Sequence, residues 1–264
     1  MAATETTEAT RGDVILETNG LTKNFGELVA VDGVDLAVER EEFHSVIGPN
    51  GAGKTTLFNL LTGVLSPSSG TVYFSDEDVT ALAPHERVQR GIGRSFQLTT
   101  VFSGLTVREN VRLAVQSVHG RTLSRRDRLL SPADGFETIN VTTDEVLSEI
   151  RLSNRATEQA STLAYGDRRR LEIGIVLATD PDLVLLDEPT AGMSADETRE
   201  TMELVGEMLA DRTVILIEHD IDLVVRVSER ISVLDRGQII ATGTPTEIAD
   251  NEEVQRAYLG GIRE

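Results

Sequence analysis

Residues Gly48-Pro49-Asn50-Gly51-Ala52-Gly53-Lys54-Thr55-Thr56 fit the spacing G-x-x-x-x-G-K-[ST], which suits a loop that holds phosphate. Its glycines let backbone N–H groups point inward at an anion with no Cβ in the way, and a helix beginning behind them adds its positive end. Lys54 would reach the β- and γ-phosphates, and the Thr55 hydroxyl would ligate Mg²⁺. The chain has only two lysines, Lys23 and Lys54, and one of them stands where this chemistry demands it. A glycine-rich turn with an ordinary surface lysine would not need that coincidence.

Two further stretches carry reactive side chains. The apolar run Leu183-Val184-Leu185-Leu186 ends in Asp187-Glu188, and the run Thr213 to Ile217 leads through Glu218 to His219. Asp187 would hold Mg²⁺, usually through water, while Glu188 is placed to orient or deprotonate an attacking water. Neighbouring side chains on a strand face opposite ways, so the two acids divide these jobs only if the strand stops there, and Pro189 stops it. His219 would donate a hydrogen bond to the γ-phosphate and so report its presence. Ligands of an open parallel sheet sit at the carboxyl ends of its strands, and three such ends, after Ile47, Leu186 and Ile217, carry matching groups. Downstream of a phosphate-binding loop, that combination specifies nucleoside triphosphate hydrolysis.

The elements that must position these groups follow from periodicity. An apolar strand, Phe43 to Ile47, enters the loop, and a helical pattern from Thr56 to Gly63 leaves it. Val14 to Leu21 and Val34 to Val38 alternate apolar and polar residues, the mark of an antiparallel sheet with one wet face. Between them, Lys23-Asn24-Phe25-Gly26 reads as a turn whose aromatic ring either stacks on a purine or fills the core. Thr71 to Phe74 reads as a strand, and Pro84 opens a helix running to Arg90 that Gly91 stops. Helical periodicity then covers Thr106 to about Val118, Thr143 to Ile150, the run ending at Ala178, and Ser194 to Ala210. The polar stretch from His119 to Asn140, with Arg121, Arg125, Arg126 and Arg128, reads as a loop or insertion whose basic face is either solvated or internally paired, or else touches a partner. Ile231 to Asp235 and Gln238 to Ala241 form a hairpin through Arg236-Gly237, and the last stretch, Pro245 to Leu259, is helical and amphipathic. The fold class is α/β: a P-loop core with a parallel sheet, an antiparallel β subdomain and a helical subdomain at about 98–165, forming one domain over 14–264 behind a tail at 1–13.

Composition narrows the setting. The 264 residues carry a net charge of −19, which argues against nucleic acid as a partner because phosphate backbones reward clustered Lys and Arg. All but two of the 25 basic residues are arginines, and a strongly acidic, lysine-poor chain suits high salt, where self-repulsion is screened. A halophilic source is the expectation. The chain has no cysteine, no signal-peptide pattern and no apolar run of membrane-spanning length, so a cytoplasmic protein is expected.

In order along the chain, these residues resemble those of ABC-transporter ATPase subunits, over about 14 to 262. The likeness covers a Walker A motif at 48 to 56, a Q-loop at Gln97, a signature-like segment at 163 to 167, a Walker B motif at 183 to 188, a D-loop at 191 to 194 and a switch histidine at His219. It implies ATP and Mg²⁺ as ligands, adenine stacking for Phe25, and catalytic and Mg²⁺-side placement for Gln97, which couples nucleotide state to membrane subunits. It also implies a head-to-tail dimer in which each ATP lies between one subunit's P-loop and the other's signature. Within that superfamily "GIGRSFQ", "YGDRRRLEI", "DEPTAGMS", "GTPTEI" and "AYLGG" look like the branched-chain amino acid importers, whose relatives handle amides and urea. Such importers pair two ATPases with two permease membrane subunits and a solute-binding protein, which implies a peripheral position on the cytoplasmic face. An ABC exporter ATPase and a soluble, non-transport ABC ATPase are the alternatives.

The signature segment departs from the usual Leu-Ser-(Gly/Tyr)-Gly-Gln: it reads Leu163-Ala164-Tyr165-Gly166-Asp167. Ala164 has no hydroxyl for a γ-phosphate across the dimer, and Asp167 adds negative charge, whereas Gly166 and the helix N-terminus behind it still favour an anion. One strong and one weak ATPase site are expected. Ser194 stands in the D-loop where many relatives have Asp.

Overall fold

The computed structural model describes residues 13–95, 101–119 and 132–260. The chain divides into two compact units, one formed by 1–82 with 228–264 and the other by 83–227. The tail at 1–12, Gln97 and the arginines from 121 to 128 lie outside the described residues.

In the first unit, β1 (Val14–Phe25) and β2 (Leu28–Glu39) form a long antiparallel pair, with β4 (Ser69–Phe74) on the other edge of β1 and β5 (Glu77–Asp78) beyond it. Leu16, Val34, Leu36, Val38, Val72 and Phe74 face inward and are buried, as the alternation predicted. Thr18 is buried with them because its hydroxyl donates to Val34 O and accepts from Leu36 N–H, both at 2.9 Å, where the β1–β2 register shifts. The strand β3 (Phe43–Ile47) pairs in parallel with β9 (Arg230–Asp235), and β10 (Gln238–Gly243) returns antiparallel to β9. The expected hairpin is present, and its turn residues Arg236 and Gly237 both have positive φ, 47° and 84°. A polar chain, buried at Glu42, His44 and Ser232, crosses these strands. His44 bonds Glu42 through Nδ1 at 3.0 Å and Ser232 through Nε2 at 2.9 Å, and Ser232 bonds Thr242 at 2.8 Å. A one-residue slip of β3 against β9 would leave these buried groups unpaired, so the network specifies the register that carries β3 into the phosphate loop.

In the second unit, β6 (Ile92–Ser95), β7 (Leu183–Asp187) and β8 (Thr213–Ile217) run parallel, with Ser95 opposite Leu186 and Asp187 opposite Ile217. Every residue of β7 and β8 is buried, which is why both read as unbroken apolar runs. The helices α2 (Pro84–Val88), α3 (Val107–His119), α4 (Pro132–Glu149), α5 (Tyr165–Leu177), α6 (Ala195–Met208) and α7 (Ile221–Val227) belong to this unit, while α1 (Lys54–Leu61), α8 (Pro245–Ala249) and α9 (Glu252–Gly260) belong to the first. Among the described residues, no helix is long and apolar enough to cross a membrane.

Several expected boundaries move. Helix α4 begins at Pro132, so part of the stretch read as loop or insertion is helical; Pro at a helix start costs nothing, and the buried positions Ile139, Thr143, Val146, Leu147 and Ile150 recur at helical spacing once Thr143 is counted inward. Thr143 fits because its hydroxyl donates to Ile139 O at 2.6 Å. The C-terminal helix is two helices, broken at Asp250-Asn251, where Asn251 Oδ1 accepts from Glu253 and Val254 N–H at 2.9 and 3.2 Å and caps the second. The helix from Pro84 ends at Val88, and Lys23 to Phe25 lie inside β1, leaving Gly26-Glu27 as the turn.

Ser194, the D-loop residue, is the N-cap of α6. Its N–H and hydroxyl donate to Glu197 Oε2 at 2.9 and 2.8 Å, and Glu197 N–H donates back to its hydroxyl at 3.4 Å. These bonds, the backbone one first, hold the Glu197 carboxyl below the usual carboxylate range. A lowered folded-state value means stability that is present above the unfolded pKa and lost as pH falls through the folded one. Ser194→Ala is therefore expected to lower Tm at pH 7 by about 2–4 °C and to flatten the decline of stability into acid. Thermal scans from pH 7 to pH 3 would show it, and an unchanged acid profile would remove the box as a contributor.

Candidate active site

The phosphate-binding loop lies wholly in the first unit. Gly53 sits at φ 105° as the N-cap of α1, and a Cβ there would lie 2.3 Å from Ala30 O; a Cβ on Gly48 would lie 2.0 Å from Leu234 O. Neither position admits a side chain, because strands β2 and β9 press on the loop. The loop is also anchored by Gly237 N–H donating to Ala52 O at 2.8 Å. Behind it α1 has no side-chain cap and no acidic residue in its first turn, so its positive end is left to an incoming anion. Lys54 is buried, with Nζ donating to Gly48 O at 2.6 Å and Pro49 O at 3.1 Å, so the ammonium is folded across the loop. Thr55 and Asn50 are exposed and Thr56 is half-buried. A glycine cradle with an uncapped helix end and an inward ammonium fits a nucleotide's phosphates.

Phe25 closes β1, paired with Leu28, and its ring is 48 % exposed, which removes core filling as its purpose. Lys23 Nζ lies 5.4 Å from the ring centroid, so the ring already carries one cation–π contact.

The second unit brings the strand-end acids and the histidine together. Asp187 is the last residue of β7 and Glu188 leaves it at φ 46°, a left-handed backbone for a non-glycine residue. That turn frees the two side chains from the alternation of the strand. Glu188 N–H donates to Ile217 O at 2.9 Å, and Glu188 Oε1 lies 2.6 Å from His219 Nε2. Strain of this kind persists only where surrounding bonds over-determine it. Asp187 is buried, with Oδ2 paired to Arg94 Nη2 at 3.1 Å. Asp187 is the carboxylate here that would hold Mg²⁺, an ion bound by one or two side chains plus the substrate's phosphates. Among the described residues there is no group of three or more metal-ligating side chains. Strand β6 ends with Ser95 opposite Leu186.

Three further side chains brace these strand ends, and the sequence does not single them out. Glu218 is buried, and its Oε1 accepts from Thr190 N–H at 3.0 Å and from the Thr190 hydroxyl at 2.6 Å, while Oε2 accepts from His219 N–H at 3.1 Å. It ties the histidine to the turn after Glu188. Arg94 and Arg169 are the others. A carboxylate at the end of a five-residue buried strand was the one signal for Glu218; the arginines gave none.

The signature-like segment heads α5. Ala164 is its N-cap and makes no side-chain bond, Tyr165 and Gly166 are exposed, and Asp167 pairs with Arg155 at 3.3 Å. Arg155 thus offsets the negative charge that Asp167 introduces. A cleft of about 520 Å³ lies between this helix and the turn after β7, lined by Tyr165, Arg168, Glu172, Glu188, Pro189 and Met193.

Parallel strands, an antiparallel sheet, a phosphate loop and strand-end acids with a histidine define an ATP-hydrolysing cassette, and residues 31–191 match the ABC transporter family. The chain belongs to that family as an ATP-binding, ATP-hydrolysing subunit. Residues 238–262 match a second family, the branched-chain amino acid ATP-binding cassette transporter. The chain is similar to the high-affinity branched-chain amino acid transport ATP-binding protein BraF of Pseudomonas aeruginosa, 41 % identical over 252 residues, covering 93 % of this chain and 98 % of BraF. It is equally similar to LivG of Escherichia coli K12, of the same description, 41 % identical over 250 residues with 93 % and 98 % covered. Among solved structures, a nucleotide-free ATP-binding cassette from an ABC transporter aligns with TM-score 0.77 and 31 % identity, covering 93 % of this chain and 98 % of that one.

Proposed function

We propose that this chain drives uptake of branched-chain amino acids or related amides, as the MgATP-hydrolysing subunit of an importer on the cytoplasmic face of the membrane. Lys54 and the loop from Gly48 to Thr56 hold the phosphates, Phe25 stacks on the adenine, Thr55, Asp187 and Gln97 serve Mg²⁺, Glu188 is the general base, and His219 orients it and senses the γ-phosphate. The 2.6 Å contact of Glu188 with His219, made by a backbone held in the left-handed region, carries the catalytic part of this reading. The importer and its solute rest on the match at 238–262 and on the relatives' names. Membrane subunits, a second ATPase and a solute-binding protein complete the assembly. Affinity-purified chain is expected to carry two membrane subunits with it, and the complex in vesicles to take up labelled leucine or valine with ATP. Recovery without membrane subunits would overturn the transport role; uptake of urea or amides but not leucine would reassign the solute.

In the dimer, this chain's α5 faces the partner's ATP. Ala164 supplies no hydroxyl, while the first-turn N–H groups, unused by any cap side chain, and Arg155 beside Asp167 support residual anion binding. Ala164→Ser is expected to raise turnover at the partner's site, by up to about 10²-fold, the worth of one preorganised donor. Unchanged steady-state ATPase would refute it.

The acidic surface supports a halophilic setting. Unfolding midpoints are expected to rise steadily with KCl as self-repulsion is screened; full stability at low salt would count against it.

A further inference from the structure

We propose that Arg169 is a positioning residue for hydrolysis, coupling the signature helix α5 to the orientation of Glu188 in the same chain. The proposal rests on the reading of Glu188 as the base and of the head of α5 as the element that meets the partner's ATP.

Arg169 lies in the second turn of α5 and is largely buried. Its Nη2 donates to Pro189 O, and its Nη1 donates to Glu172 Oε2 one turn along the same helix. Pro189 O belongs to the peptide that joins Pro189 to Thr190. The N–H of that same peptide donates to Glu218 Oε1 at 3.0 Å. One peptide plane is therefore gripped on both edges, its carbonyl by the signature helix and its N–H by the residue that precedes His219. The plane lies one residue beyond Glu188, across Pro189, whose ring fixes its own φ, so it helps to restrain the φ of 46° at Glu188 together with the bond from Glu188 N–H to Ile217 O. Turning it would swing the Glu188 carboxylate away from His219 and from the water it activates.

The guanidinium is suited to this because it is planar and rigid, and with both Nη groups bonded its orientation is fixed. A shift of α5, such as gripping an anion at its head would cause, is thereby passed to the Pro189–Thr190 peptide. Thus the trans site that α5 serves and the cis site that Glu188 serves share a mechanical link through one side chain. The lysine ammonium, a point charge without the fork, cannot hold both partners in one plane.

The test compares Arg169→Ala and Arg169→Lys with the parent in the complete transporter, reading kcat, KM and the steepness of ATPase against ATP concentration. MgATP affinity of the full chain and its urea unfolding are measured alongside. Both variants are expected to lose about tenfold to a hundredfold in kcat, the cost of a misplaced group, with KM and MgATP affinity within about twofold and with a flatter ATP dependence. In a Glu188→Gln background, Arg169→Ala is expected to cost nothing further in kcat, since the two act on one step. A parental kcat in either variant, full rescue by lysine, or additive loss in the double variant would overturn the proposal. If Arg169→Ala fails to fold, Arg169→Lys alone decides. Parental turnover in Glu188→Gln itself would instead remove the base assignment, a failure separate from that of Arg169.

Discussion

Glu188→Gln is expected to bind MgATP as tightly as the parent and to hydrolyse it about 10²–10⁴-fold more slowly, the usual worth of a positioned general base. The substitution keeps shape and leaves an amide oxygen able to accept from His219 Nε2, now 2.6 Å from Glu188 Oε1, so the left-handed turn at φ 46° has no reason to relax. What disappears is the carboxylate that would take a proton from the attacking water. On the reading proposed above, ground-state binding depends on the loop at 48–56, which the change does not touch, so kcat is expected to fall while KM holds. Single-turnover hydrolysis with equilibrium nucleotide binding checks both halves. Undiminished turnover would remove Glu188 as the base, and lost binding would place it in the ground-state site instead.

Gly53→Ala is expected to weaken MgATP binding by about 10²-fold or more, from roughly 1–3 kcal/mol of backbone strain together with overpacking of similar size. The added Cβ would sit 2.3 Å from Ala30 O, and that contact is backbone, which no rotamer change relieves. At φ 105° the residue is also outside the region an alanine adopts easily. Either α1 tips away from β2 or the loop opens, and in both cases the N–H groups and Lys54 lose their common target. Gly51, at φ 81° with nothing within 4 Å of a Cβ, is the contrast: Gly51→Ala meets strain without collision and should lose less. Calorimetry with MgATP on variants whose unfolding has been measured separates lost binding from lost folding. Equal affinities for Gly53→Ala and the parent would mean the loop is looser than these contacts require.

The parts legible in the sequence are those whose pattern is local. The loop at Gly48 to Thr56 needs glycines, a lysine and a hydroxyl at fixed offsets, and β7 and β8 need unbroken apolar runs because both faces are covered. Sequence alone starts helix α4 at Thr143 because the residues just ahead of it, 137–142, bury only Ile139. Phe25 was read as a turn residue because a strand running to its last exposed positions has no alternation left to follow. The capping role of Ser194 was within reach, since Glu197 stands three residues on, as a capping box requires.

The sequence by itself determined which groups are offered: a glycine loop carrying Lys54, acids at the end of β7 and a histidine beyond β8, because residue type and strand pattern fix those places within a few positions. Only the tertiary structure decided how these groups are held. Arg94 reaches Asp187 across 93 positions, Glu218 reaches Thr190 across 28 and Arg169 reaches Pro189 across 20. No period or motif links such pairs, since long polar side chains serve equally well on a solvated face. Burial beside a particular backbone group is what turns them into struts, and burial is a property of the folded chain.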